Sequence, residues 1–399
     1  MARIRPLPPI WLMGFGFLPL GVFGAVMLIT VPQLLAANHV PEQRIASVTA
    51  VSLIPGFGSF VLGPLLDWRF SRQFYAITFA VIGALCLFAA LIAIRDLELL
   101  TALLFTGNLA ISLCVAAVGG WFGNLTDTED KGALGAWFTV ANLGAGGVAA
   151  AITIYLVRDL PNGVGAAIVG LMVLMALPLF VWIPCPPADK RLASESFRAF
   201  AQDVLALLRQ RSVLWTLLIF LMPAASFALT NTLGGLGHDF SISEKMVGLI
   251  GGAGVAFAGV FGSLIIPPLS QRIPPRPLYL LVGGFGALFT LVLTLVPHTP
   301  ASFGAALLGE NAFQAASFSV ANVITLRTIG DNNPLAATQF GLLTAAASLP
   351  LSYMQVIDGQ AYGLGGVNGS YAADALVSGA ACLALALLLW LLRRTIPAV

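Results

Sequence analysis

Charge is what this chain has least of. Only 9% of its 399 residues are Asp, Glu, Lys or Arg, whereas 58% are hydrophobic. A soluble domain carries about 25% charged residues, and this chain could not clothe a soluble surface. The net charge of +2 offers no basic face to a nucleic acid. The three histidines, His39, His238 and His298, fall in connections between apolar segments, so a histidine proton relay in the core is not expected. Cys86, Cys114, Cys185 and Cys382 are scattered. They form no metal or disulfide pattern and read as small buried hydrophobes. No Walker sequence is present, so no ATP engine or nucleotide cofactor is implied. Gly251 to Gly259 lies within an apolar segment, with no preceding strand and no Lys-Ser/Thr after it. It suits close helix packing. No nucleophile stands beside a base, so neither an enzyme nor a catalytic residue is expected.

Apolar length is what the chain has in plenty. Twelve segments stand out, roughly 10–36, 44–66, 74–94, 97–122, 131–156, 163–183, 212–236, 244–268, 277–297, 301–326, 334–357 and 371–392. Each is about 20 residues or longer, the length of a membrane helix and twice that of a barrel strand. The expected fold is all-α and integral to the membrane, with the lipid bilayer as its surroundings. One long connection, Pro184 to Arg211, divides the chain into a six-helix half at 1–183, a linker at 184–211 and a second half at 212–399. Within it Phe197, Phe200, Val204 and Leu207 recur at helical spacing among Arg198, Asp203 and Arg209, which predicts a helix lying on the membrane face.

Of the 19 Lys and Arg residues, 15 fall on the side carrying both termini and 4 on the other. Both termini are therefore expected in the cytoplasm, in a cell inner membrane. The start, Met-Ala-Arg-Ile-Arg-Pro, runs into apolar sequence without a small-residue cleavage site and reads as a retained first helix. The halves also repeat. Trp11 and Trp215, Pro19 and Pro223, Pro64 and Pro268, and Arg72 and Arg276 are each 204 residues apart. Asn108 and Asn311 are 203 apart. Two pseudo-symmetric six-helix halves about an axis normal to the membrane is the plan of a rocking transporter.

The segment from about 301 to 326 holds the most telling residue. Glu310 sits roughly 13 Å inside it at about 1.5 Å per residue, near the middle of the hydrocarbon, and reads as the deepest charge in the chain. A carboxyl there is costly unless protonated, paired or facing water, so it marks a functional site. Gln314 and Ser317 share its face, and Asn311, Phe318, Asn322 and Thr325 form an adjoining stripe. Asn108, Asn142, Asn231, Gln355 and Tyr353 are the polar candidates from other spans, with Trp137 as an aromatic contact. Each of these can also serve only to join helices. Pro32, Pro55, Pro223 and Pro350 permit bends of the kind gating helices need.

The connection after the second segment reads Gly63-Pro-Leu-Leu-Asp67-Trp-Arg69-Phe-Ser-Arg72. It resembles the loop signature of the major facilitator superfamily in Gly63, Leu65, Asp67 and Arg72, while Trp68 and Phe70 depart from it. The second-half copy, Pro268 to Arg276, lacks the acid. The resemblance covers the whole chain and implies a twelve-helix transporter working by alternating access. Gly63, Asp67 and Arg72 are then gating residues, the carboxylate and guanidinium able to latch helices in one state and free them in another. A narrower resemblance rests on Phe60 to Asp67, on Glu310-Asn311 and on Ala337-Thr338-Gln339-Phe340 with Thr344. These are similar to the AmpG-type permeases, a group of muropeptide, siderophore and acetyl-coenzyme A transporters.

The expected function is secondary transport by a monomer: proton-coupled import of a small amphipathic organic solute, muropeptide-like or siderophore-like. Glu310 is the proton-coupling candidate, and Asn311, Gln314, Asn108, Asn142, Asn231, Gln355, Tyr353 and Trp137 are candidate substrate contacts. Metal and cofactor are not expected. Drug or metabolite efflux, or a membrane sensor without flux, are the alternatives.

Overall fold

A computed structural model describes residues 7–184, 197–331 and 333–391. Arg3, Arg5, Cys185, Lys190, Arg191, Arg393 and Arg394 lie outside the described residues, as do the side chains of Phe197, Phe200 and Lys245. Within the described residues the regular structure is entirely helical. Nine helices are long and apolar enough to cross a membrane: Ile10–Ala37, Gln43–Leu66, Arg72–Ile92, Leu97–Leu125, Lys131–Asp159, Gly163–Trp182, Met246–Ser270, Pro275–Leu293 and Ala336–Leu391. The last of them is two spans, 336–364 and 367–391, because Gly365 and Gly366 leave helical geometry. Gly366 has φ 59°, a backbone open to glycine at little cost. Pro300–Ile329 is a further helix of 30 residues. It carries Glu310, Asn311, Gln314 and Asn322, which lower its hydropathy below that of the nine.

The seventh span differs from the expectation of one helix over 212–236. Its helix, Arg211–Leu221, stops where Met222 turns extended at ψ 144°, as a residue before proline prefers. After Pro223 the chain passes through Phe227 at φ 50° and continues in short tight turns from Ala228 to Phe240. Counted with this broken span, the described helices supply all twelve. The connecting helix Phe197–Leu208 forms at the spacing read from the linker.

Local sequence sets the helix ends. The Ser71 hydroxyl accepts the Phe74 N–H, and the Asp96 carboxylate accepts that of Leu99, so both caps satisfy a donor the helix cannot. The eleventh helix runs to 364 instead of 357, which draws Asp358 inside it.

The chain gathers into two compact units. The first comprises Met1–Asp130, Ala141–Leu207 and Ile329–Ala345; the second comprises Lys131–Val140, Leu208–Thr328 and Ala346–Val399. Each unit takes in the opening turns of one helix from the other half of the sequence. The core of the first is built around Phe23, Val26, Leu87 and Ile111. The second has a core around Leu229, Phe240, Phe303, Leu307 and Tyr371.

Candidate functional site

In the first unit, the Asp67–Arg72 pair is buried and joined at 2.7 Å between Arg72 Nε and Asp67 Oδ1. The pair does more than neutralise itself. Asp67 also accepts from the Ala337 N–H at 3.2 Å, the Thr338 N–H at 2.7 Å and the Thr338 hydroxyl at 2.7 Å. These donors open the helix 336–364, where unsatisfied N–H groups and the helix dipole favour a carboxylate. Arg72 reaches the carbonyls just before that helix, Asn333 at 3.0 Å and Pro334 at 2.8 Å. Asn124 donates to the same Asn333 carbonyl at 2.9 Å. Gly63 lies against Thr338, whose Cα would be 3.3 Å from an added Cβ, so only a small residue lets the backbones meet here. Sequence pattern had singled out Gly63, Asp67 and Arg72; the segment they grip, 333–338, carried no such signal on the charge pattern.

The second unit holds a different kind of site. Glu310 is fully buried, and the Thr290 hydroxyl donates to its Oε1. Its Oε2 has no hydrogen-bond partner. Glu310 is not the only deep acid, as its sequence position suggested. Asp358 and Asp374 are buried beside it, at 1% and 2% exposure, and both act electrostatically on Glu310. Neither oxygen of Asp358 is bonded, nor is Asp374 Oδ1. The expected span edges put Asp358 just outside one span and Asp374 in the first turn of the next. Helical spacing of Tyr371, Asp374 and Ser378 on one face was the signal that could have found them.

The same unit explains the polar groups near the broken seventh span. A helix that stops leaves carbonyls to satisfy, and several predicted residues do so. Gln314 Nε2 donates to Thr230 Oγ1 at 2.6 Å and to the Phe227 carbonyl at 3.3 Å. Ser317 donates to the Ala225 carbonyl at 3.0 Å, Tyr353 to that of Leu221 at 2.8 Å, and the Cys382 thiol to that of Ala224 at 2.9 Å. Gly283 packs so closely that an added methyl would run into the Ala224 carbonyl.

Other candidates are placed less pointedly. Asn311 donates to the Leu307 carbonyl of its own helix at 2.8 Å, so its amide is occupied locally. Asn108, in the first unit, donates to the Ser52 carbonyl at 2.8 Å and joins the fourth helix to the second. Asn142 is half-buried in the first unit; Trp137 and Gln355 are half-buried in the second, and Asn231 is exposed there. Asn322 donates to Thr139 Oγ1 at 3.2 Å. Among the described residues no group of three or more His, Cys, Asp or Glu is placed to hold a metal ion.

Comparison with known proteins gives the same architecture. The family model of the Major Facilitator Superfamily matches residues 13–351. No curated protein sequence matches the chain. Among solved structures, the human organic anion transporter TETRAN superposes with a TM-score of 0.69 at 17% identity, covering 95% of this chain and 100% of its own. The transporter FucP in its outward conformation gives 0.71 at 14% identity, covering 95% and 98%. The proton:xylose symporter XylE gives 0.69 at 13% identity, covering 98% and 95%. Likeness at such identity concerns the fold, while the family match spans most of the chain. This multi-pass membrane protein belongs to the Major Facilitator Superfamily and is a secondary transporter, not an enzyme.

Proposed function

We propose that the protein imports a small amphipathic organic solute in symport with protons, and that Glu310 is the coupling carboxyl. One observation carries the reading: a carboxyl fully buried within a membrane helix, with a threonine donor and acidic neighbours and, among the described residues, no cation acting on it. A charge so placed is expensive, and exchanging it for a neutral acid is what a proton does. FucP and XylE are described as a fucose:proton and a proton:xylose symporter, and their shared fold supports coupling of this kind here.

The Asp67–Arg72 pair with Gly63 serves as the gate latch. Its grip on the opening turn of the helix at 336 is made of directional, charge-assisted bonds, so it is either formed or broken. Such a contact suits a two-state switch. The excess of positive residues on one side supports an orientation with both termini in the cytoplasm, in a cell inner membrane.

For substrate, we favour the muropeptide-like or siderophore-like solutes suggested by resemblance to the AmpG-type group. Asn231, Gln355 and Trp137 of the second unit offer amides and an indole, which suit a solute with hydroxyls and an apolar part, while Gln314 and Tyr353 are held by the broken seventh span and Asn142 is a separate candidate of the first unit. Asn108 and Asn311 are held in helix contacts and serve as supports. A polyanion such as acetyl-coenzyme A would want several cations, which this set lacks.

Thermal stabilisation of the detergent-purified protein tests the substrate class. The panel is an anhydromuropeptide, apo and ferric siderophores, acetyl-coenzyme A and cationic drugs. A ligand at 100 times its dissociation constant adds about 2.7 kcal/mol to a reversible unfolding equilibrium. A shift with a muropeptide or siderophore that weakens in Gln355→Ala supports the reading. A shift with drugs alone favours efflux.

A further inference from the structure

Three buried carboxyls in one unit exceed what one coupling residue needs. They are also ordered in depth. Asp358 lies about 9 Å from the helix end at 364, Asp374 about 10 Å from the end at 367, and Glu310 about 15 Å from Pro300, at 1.5 Å per residue. These three ends belong together, since His298 Nε2 and Asn368 Oδ1 meet at 3.2 Å. Going inward from them, Asp358 and Asp374 lie at similar depth and Glu310 lies deeper. Asp374 acts electrostatically on both of the others.

A second feature points to exchange in place of mere burial. Tyr371, one turn before Asp374, is 1% exposed and its hydroxyl has no hydrogen-bond partner. Glu310 is the charge that acts on it. Ser378, one turn beyond Asp374, is also buried with an unbonded hydroxyl. Buried polar atoms are nearly always bonded, and here they accumulate around three acids. Among the described residues, no cation acts on these acids. Phe240, Phe303, Leu307 and Val367 supply an apolar wall. At the helix ends stand His298, bonded to Asn368, and Asp239, bonded by Tyr362. Open space lies at Gly359, Gly363 and Gly365, where an added Cβ would meet nothing within 4 Å. The acids do not converge as a metal centre does.

We propose that Asp358 and Asp374 pass protons between the helix ends at 298–300 and 364–368 and the carboxyl of Glu310. In each step the O–H bond of a protonated acid breaks, and the proton joins a carboxylate oxygen of its neighbour. The donor becomes a carboxylate, the acceptor an acid, and the charge of the cluster is unchanged. Water at the helix ends supplies or takes the proton at Asp358. This relay rests on the reading of Glu310 as the coupling carboxyl.

The test is the rate at which the Glu310 acid exchanges its proton. The purified wild-type protein is switched from H2O to D2O, and the carboxylic-acid infrared band absent in Glu310→Gln is followed in time. Asp358→Asn and Asp374→Asn should slow this exchange by about 100-fold, the scale of a lost proton-transfer group. Formate should restore the rate, which a structural role would not allow. Asp374→Glu, which keeps the acid, should stay near wild type and guards against a folding defect. Unchanged exchange in both Asn variants overturns the relay. So does the absence of any band assignable to Glu310, or its loss on adding Na⁺ or Ca²⁺ at fixed pH, which would indicate a metal-ion site. Failure of the coupling reading is seen separately, as proton-driven uptake that survives in Glu310→Gln.

Discussion

The two units bury polar groups on opposite terms. Within the first unit's membrane core the buried groups are neutral and matched: Thr30 and Thr153 share a hydrogen bond at 2.5 Å, and Asn108 meets the Ser52 carbonyl. Its buried charges, Asp67 and Arg72, are paired with each other. The second unit buries Glu310, Asp358 and Asp374 with oxygens left unbonded. Asn108 and Asn311 stand at equivalent points of the repeat, and only the second-half copy has an acid before it. On the proposed reading, matched groups hold an arrangement, whereas unmatched carboxyls respond to protons.

The largest expected effect strikes the unmatched side. Glu310→Gln should reduce proton-driven accumulation to simple equilibration while exchange across the membrane persists. Asn108→Ala should leave accumulation intact; loss of accumulation there would erase the contrast between the units. Next comes the first unit's ion pair. Asp67→Ala strands a buried guanidinium and should destabilise the latched arrangement by about 3–5 kcal/mol, read as a lowered melting temperature. A melt unchanged from wild type would show that the pair is not held as described.

How much of this was readable beforehand depends on what each residue answers to. Apolar length is a property of the sequence itself, so the helices could be read directly. Asp67 and Arg72 stood out because their loop is a local pattern. Asp358 and Asp374 did not, because their depth depends on where two helices end, and Gly365 and Gly366 set that break. The polar residues of the tenth helix were visible as a stripe, but their partners were not. Gln314 and Ser317 turn out to satisfy carbonyls freed by Pro223, a tertiary consequence of one proline.

Smaller effects refine the contrast. Gly283→Val should cost about 1–3 kcal/mol by forcing the helix away from the Ala224 carbonyl, again seen in the melt. Gln314→Ala should cost about 1 kcal/mol through its lost bond to Thr230. The double change Thr30→Val and Thr153→Val removes both hydroxyls together and should be nearly neutral, since no polar atom is left stranded. A large loss in that double variant would mean the first unit's matched groups do more than hold helices together.

The most direct measurement is solute accumulation in proteoliposomes under an imposed proton gradient, comparing wild type with Glu310→Gln and using the solute that shifts the melt most. The account predicts uphill accumulation in wild type that collapses when the gradient is dissipated and is missing from the variant, while exchange is retained in both. Uphill accumulation of equal extent in Glu310→Gln would contradict it.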